Sequence, residues 1–178
     1  LFSGSMAPTA AALGDVDNDG DLDAFVALSS GPGDEVWLND GLGNFSLTAQ
    51  SLDYMDSQDV ALGDLDGDGD LDAVVVNDLN YGNTVWINQG GAQLGPLSWF
   101  SDSGQILGFA DSYAVALGDV DGDGDLDAVV ANGGVSESAD VVYINNGAGY
   151  FDTARLLDDA SIGYGVAFGD MDNDGDQD

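Results

Sequence analysis

The chain is 178 residues long and 44% hydrophobic, contains neither cysteine nor histidine, and carries a formal net charge of −33 with one basic residue, Arg155. That composition describes one globular domain with a sizeable core. It excludes a disulfide framework, thiolate metal sites, and the clustered Lys and Arg needed to bind nucleic acid or anionic lipid. No apolar run approaches the ~18 residues of a membrane span. Leu1 stands where a charged, then apolar leader would begin, which is the expectation for a mature or trimmed product.

Taken in order, the first strand-like run is Ala10-Ala-Ala-Leu-Gly-Asp15, which leads into the loop Asp15-Val-Asp-Asn-Asp-Gly-Asp-Leu-Asp23. Ala24 to Leu28 leaves the loop, Glu35 to Asn39 follows and closes on an Asp40-Gly41 turn, and Asn44 to Thr48 is the fourth run. The order returns with Val60 to Asp64, a loop from Asp64 to Asp72, Ala73 to Val76, Thr84 to Asn88, a turn at Gln89 to Gly91, and Leu97 to Ser101. It returns again with Ala114 to Asp119, a loop from Asp119 to Asp127, Ala128 to Ala131, Val141 to Asn145, an Asn146-Gly147 turn, and Tyr150 to Thr153. A fourth round opens with Gly165 to Asp170 and a loop from Asp170 to Asp178.

The loops begin at 15, 64, 119 and 170, so they lie 49, 55 and 51 residues apart. Short runs rich in Val and aromatics, punctuated by Gly, Asn and Asp, predict strands joined by hairpins. A period near 50 matches the blades of a propeller. The small residues of each first run suit a crowded inner strand. Several runs are apolar almost continuously, as strands buried on both faces are, where one sheet stacks on the next. Trp37, Trp86 and Tyr143 recur at one position of the third run, where packing between blades is expected and a stacked sugar is the alternative.

Each loop sets aspartates at positions 1, 3, 5, 7 and 9 and a glycine at position 6, namely Gly20, Gly69, Gly124 and Gly175. Carboxylates so closely spaced repel one another and call for a cation. The pattern suits Ca²⁺, which takes six to eight oxygens, and the glycine provides the sharp turn. Position 4 is Asn18, Gly67, Gly122 or Asn173, residue types that tolerate a left-handed backbone. An EF-hand would need a Glu at position 12 and flanking helices. Position 12 here is Val26, Val75 and Val130, within strand-like runs.

The unit V-A-L-G-D-x-D-G-D-G-D-L-D-A-V-V, followed by V-x-Y/W-x-N-x-G-x-G-x-F, resembles the FG-GAP/VCBS-type repeat and is similar to the calcium-loop blades of the integrin α-subunit propeller. The resemblance covers nearly the whole chain. It implies four-stranded antiparallel blades with Ca²⁺ in the hairpin between the first two strands, up to four ions in all. The implied ligands are Asp15, Asp17, Asp19, the Asp21 carbonyl and Asp23 in the first loop. In the second they are Asp64, Asp66, Asp68, the Asp70 carbonyl and Asp72. The third set is Asp119, Asp121, Asp123, the Asp125 carbonyl and Asp127, and the fourth is Asp170, Asp172, Asp174, the Asp176 carbonyl and Asp178. Two departures stand out: the long segment from Gly90 to Ser103, and Gln177 where the other loops have Leu.

The expected fold is all-β, a single repeat array of three full propeller-type blades and the start of a fourth. The end of a preceding blade occupies 1–8, with blades at about 9–56, 57–110 and 111–160 and a new one from 161. Such an array is not a closed ring, since the smallest propeller has four blades. Its open edges call for cover by other copies of the chain or by further repeats of a longer parent.

The function this predicts is a non-catalytic, calcium-stabilised module, extracellular or on the cell surface, serving adhesion, surface display or filament-type assembly. Loops Ser29 to Asp34, Asn77 to Asn83 and Asn132 to Asp140 are the candidates for contacting a protein or glycan partner. The alternative is a glycan- or protein-recognition segment of a larger secreted enzyme. Without His, Cys or Lys the chain has no Ser-His triad, thiol nucleophile, Schiff base or zinc site. Its two glutamates, Glu35 and Glu137, are expected on solvated surface. Asn44-Phe-Ser46 fits an N-glycosylation acceptor, with an ordinary strand start after Gly43 as the plainer reading.

Overall fold

The acidic loops are entered and left by strands that pair with one another. The computed structural model describes residues 7–52, 54–90, 99–134, 139–157 and 163–169. The first four strands are β1 (Pro8–Gly14), β2 (Asp23–Leu28), β3 (Asp34–Asn39) and β4 (Phe45–Leu52). Next come β5 (Ser57–Gly63), β6 (Asp72–Asn77), β7 (Asn83–Asn88) and β8 (Phe100–Leu107). The last are β9 (Asp111–Gly118), β10 (Asp127–Gly133), β11 (Val141–Asn145) and β12 (Phe151–Leu156). Each set of four is an antiparallel sheet with its strands side by side in chain order. The fold is all-β, with three propeller-type blades, no closed barrel and no helix among the described residues.

Register places the loops. Gly14 is opposite Asp23, Gly63 opposite Asp72 and Gly118 opposite Asp127, so all three described loops spring from the same rung of their ladders. The irregularities fall at the other end of these strand pairs, at Pro8/Ala10, Ser57/Asp59 and Ala131/Asn132. At the loop end the pairing is unbroken, which gives each loop a rigid base.

The core lies between the sheets. All six residues of β6 are buried, and the two-residue period of a strand divides them between two clusters. Ala73 and Val75 face the first blade, among Phe25, Val36 and Leu52, while Val74 and Val76 face the third, among Val130, Tyr143 and Phe151. Each fully buried valine contributes about 1.5–3 kcal/mol relative to exposure. Phe25 meets Phe100 of the next blade edge to face, with ring centroids 5.5 Å apart. The first strands β1, β5 and β9 also contact one another in succession. This is the both-faces burial that the unbroken apolar runs predict.

Tyr143 packs in the cluster between the second and third blades, and Trp86 packs against the one between the first and second. Trp37 is half-buried, its indole N–H donated to Glu35 Oε2 at 2.9 Å. Glu35 corrects an expectation, because it is buried at 7% exposure instead of solvated. The strand end to which it belongs is covered, and the indole supplies a polar partner. Glu137 lies outside the described residues.

The fourth strands are longer than the sequence pattern suggests. β4 continues past Thr48 to Leu52, and β8 starts at Phe100 and runs to Leu107 through Ser101-Asp-Ser-Gly-Gln105. An outer strand has one side open to water and needs little apolar character. Within it, Gln105 grips the next blade: its Oε1 accepts Phe151 N–H at 2.8 Å and its Nε2 donates to the Gly149 carbonyl at 2.6 Å. Gln50 holds the backbone of Phe100 in the same way. Residues 163–169, expected to begin a fourth blade, carry no strand pairing among the described residues, although Gly163 N–H donates to the Asn132 carbonyl at 2.8 Å. Most of the long segment after Gly90, at 91–98, lies outside the described residues, as do residues 1–6 and 170–178.

Candidate metal centres

Local backbone chemistry shapes the loops before any side chain is aimed. Position 4 has a left-handed backbone in all three described loops, at Asn18 (φ 59°), Gly67 (φ 76°) and Gly122 (φ 78°). Position 6 follows, at Gly20 (φ 96°), Gly69 (φ 94°) and Gly124 (φ 98°), where a Cβ would be strained. The aspartate at position 1 spans the turn. Asp15 accepts N–H groups from Asp19 and Gly20, Asp64 from Gly67 and Gly69, and Asp119 from Gly122, Asp123 and Gly124, all at 2.8–3.1 Å. The position-5 carboxylates of Asp19, Asp68 and Asp123 each cap the N–H two residues ahead, at 2.9–3.0 Å.

The aspartate at position 9 closes the loop from below. Asp23, Asp72 and Asp127 are fully buried. One carboxylate oxygen of each accepts the N–H of position 2, from Val16 at 3.0 Å, Leu65 at 2.8 Å and Val120 at 3.0 Å. The other accepts the N–H of the asparagine that ends the third strand, from Asn39, Asn88 and Asn145, each at 2.8 Å. Each oxygen has two acceptor directions, so these bonds leave room for a further partner. Asn39, Asn88 and Asn145 thus support the loop bases, and the candidate site did not include them. Their signal was present, because an asparagine recurs at the same place in every third run.

Carboxylates converge within each described loop. In the first, one oxygen from each of Asp15, Asp17 and Asp19 lies within 4.8 Å of the others. In the second the group is Asp64, Asp66 and Asp72, and in the third Asp119, Asp121 and Asp127, with the same limit. Asp68 and Asp123 stand outside these groups, as does Asp23 in the first loop. The position-7 side chains turn away, Asp21 to Gly41, Asp70 to Gly90 and Asp125 to Gly147, each too close for a Cβ on the glycine. Asp70 also accepts the side-chain amide of Asn18 from the neighbouring loop. The loop at Asp170, Asp172, Asp174, Asp176 and Asp178 lies outside the described residues.

Burial makes five of the loop carboxyls, Asp17, Asp23, Asp66, Asp72 and Asp127, reluctant to ionise. Burial, with Asp66 and Asp68 nearby, pushes Asp72 up to about 6 from its ordinary 3.8, against the two N–H groups that favour its charge. Burial likewise raises Asp23 and Asp127. Asp17 is raised by burial and then by Asp23 and Asp19, and Asp66 by burial and then by Asp68. A bound cation would oppose these shifts, because an adjacent positive charge favours the ionised carboxylate. The donor set is all oxygen, and two ligands of one Ca²⁺ at 2.3–2.6 Å lie at most about 5 Å apart. The three carboxylate groups fit that limit, so the residues present suit a hard divalent ion.

An all-β array with one such acidic hairpin per blade defines an acidic-loop repeat protein. The chain belongs to the FG-GAP-like repeat family, whose pattern it matches three times, over residues 15–75, 64–130 and 119–178. The first two matches each run from one acidic loop into the strand that leaves the next. A search of the curated proteins finds no match to the chain.

Proposed function

We propose that this chain is a non-catalytic, calcium-stabilised repeat module of an extracellular or cell-surface protein, serving adhesion, surface display or filament-type assembly. The observation that carries the reading is the convergence of three carboxylates within 4.8 Å in each described loop, among them Asp17, Asp66, Asp72 and Asp127, whose charge burial disfavours. Calcium would supply the positive charge there. Asp15, Asp17 and Asp19, Asp64, Asp66 and Asp72, and Asp119, Asp121 and Asp127 would hold it, and the fourth loop adds a further site by its identical spacing. Binding energy then becomes folding energy, since the open hairpin does not bind.

The assembly half of the proposal rests on a blade face. Leu62 and Leu71 of the second blade lie over Gly14 of the first, and Leu117 and Leu126 of the third lie over Gly63 of the second. Their counterparts in the first blade, Leu13 and Leu22, are 62% and 57% exposed. A further blade, from another copy of the chain or from additional repeats, is what that face would accept.

Recognition of a glycan or protein partner, as an accessory to a larger secreted enzyme, is the second reading. It is supported at the end of the blades away from the acidic loops. There the connections 54–56, 78–82 and 108–111 are tied by Asp78 N–H to the Asp56 carbonyl at 2.9 Å and Asn80 N–H to Asp111 at 2.9 Å. They expose Tyr54, Leu79, Tyr81 and Phe109. Calorimetric titration with Ca²⁺, paired with thermal melts in chelator, tests the leading reading. Binding at several sites with a sharp drop in Tm on chelation is expected. Unchanged Tm and no heat of binding would end it.

A further inference from the structure

The peptide after the first aspartate of the first two loops is held from two sides. Val16 N–H donates to Asp23 Oδ2 at 3.0 Å, while the Val16 carbonyl accepts Asn88 Nδ2 of the second blade at 2.9 Å. Asn88 donates its own backbone N–H to Asp72 Oδ1 at 2.8 Å, and Asp72 Oδ2 accepts Leu65 N–H at 2.8 Å. The pattern then repeats one blade on. The Leu65 carbonyl accepts Asn145 Nδ2 at 2.7 Å, and Asn145 N–H donates to Asp127 Oδ1 at 2.8 Å. Hydrogen bonds thus run without a break through all three described loops.

Both asparagines are buried, at 0% and 2% exposure, so water cannot readily replace them. Asn39, the counterpart in the first blade, is half-buried, and its side-chain amide stays within its own blade among the described residues, donating to the Leu22 carbonyl and accepting Gly43 N–H, each at 3.1 Å. The line has other supports. Gly149 N–H also donates to the Leu65 carbonyl, at 2.9 Å, and Asn18 reaches Asp70 directly.

We propose that Asn88 and Asn145 couple the loops, so that closing one loop on calcium raises the affinity of its neighbour. The inference rests on the calcium reading above. Carboxylate repulsion favours an open loop, and an open first loop moves the Val16 carbonyl away from Asn88. Asn88 then holds Asp72 less firmly, and the second loop must be ordered at its own cost. A first loop already closed fixes Asn88, and with it Asp72, before the second ion arrives. The ordering is shared, which is positive cooperativity without a change of fold. Asn88 and Asn145 are positioning residues and touch no ion.

The test uses the full chain and Ca²⁺ alone, with backbone amide shifts of Gly20, Gly69 and Gly124 reporting each loop separately. Disabling the second loop by Asp66→Asn is expected to raise the half-saturating calcium at Gly20 and Gly124 about five-fold or more. In an Asn88→Ala background the same change should leave Gly20 unmoved and still shift Gly124. Asn39→Ala should preserve both shifts. Should Asn88→Ala not fold, Asn88→Ser, which shortens the reach of the side chain, replaces it. Coupling is overturned if Asp66→Asn leaves Gly20 and Gly124 at their original midpoints, or if Asn88→Ala leaves the Gly20 shift intact. If none of the glycines responds to calcium, the calcium reading itself fails, a different outcome from either.

Discussion

Leu126 of the third blade closes over Gly63 of the second so tightly that a Cβ added there would sit 2.7 Å from Leu126 Cδ1 and 3.0 Å from Leu117 Cδ1. The glycines that open the first two acidic loops, Gly14 and Gly63, are therefore also the seats of the next blade. Both neighbours are ends of flexible side chains, so Ala can be absorbed in part and Val cannot. Gly63→Val is expected to lower stability by about 1–3 kcal/mol through overpacking, read as a fall in the urea midpoint at unchanged slope. A midpoint equal to wild type would show that the blades are not in close contact there.

Acid should act in opposite directions with and without calcium. Asp72 has a folded pKa of about 6 against an ordinary 3.8, so the folded protein holds this proton more tightly than the unfolded chain. Its contribution to stability is fully present below 3.8 and is lost as pH rises through about 6. In chelator, Tm should therefore rise between neutral pH and about pH 5. In saturating calcium it should fall over the same window, because protons then compete with the ion. Melts at matched ionic strength decide this, and parallel curves in the two conditions would contradict it.

Gln105 is the test of the outer edge. Gln105→Ala leaves Phe151 N–H and the Gly149 carbonyl without their partner, at a cost of about 1–3 kcal/mol. Gln105→Glu should be no better, since it keeps the acceptor for Phe151 but loses the donor to Gly149. If Gln105→Ala melts with wild type, the clamp between β8 and β12 contributes nothing.

Salt should substitute in part for calcium. At a net charge of −33, self-repulsion opposes the folded state, and raising ionic strength shortens its range to about 8 Å at 0.15 M. The chelated protein is expected to gain Tm between low salt and 0.15 M NaCl, and the calcium-loaded protein to gain less. A Tm independent of salt in chelator would show that charge repulsion is not what limits the metal-free fold.

The strands, their meander order and the loop turns were legible because they are local. A two-residue period, a glycine at position 6 and an Asn or Gly at position 4 each specify backbone within a few residues, and Asn18, Gly67 and Gly122 take the expected left-handed conformation. The ends of the fourth strands were not legible, because Ser101 to Gln105 is polar on an outer strand and reads as turn chemistry. Glu35 was misjudged for the complementary reason. Its burial depends on the indole of Trp37 and on cover from the rest of the blade, neither of which a charge pattern contains.

What the sequence determined by itself is the repeat, the all-β class and the set of aspartates that makes up each acidic loop, since spacing along the chain is enough to specify them. The tertiary structure alone decided the division of labour within that set: Asp72 buried beneath the loop, Asp70 turned out against Gly90, Asn88 carried to the Val16 carbonyl. Those outcomes depend on which blade lies against which. The Val16–Asn88 bond joins residues 72 positions apart, and only packing of the sheets brings such groups within hydrogen-bond reach.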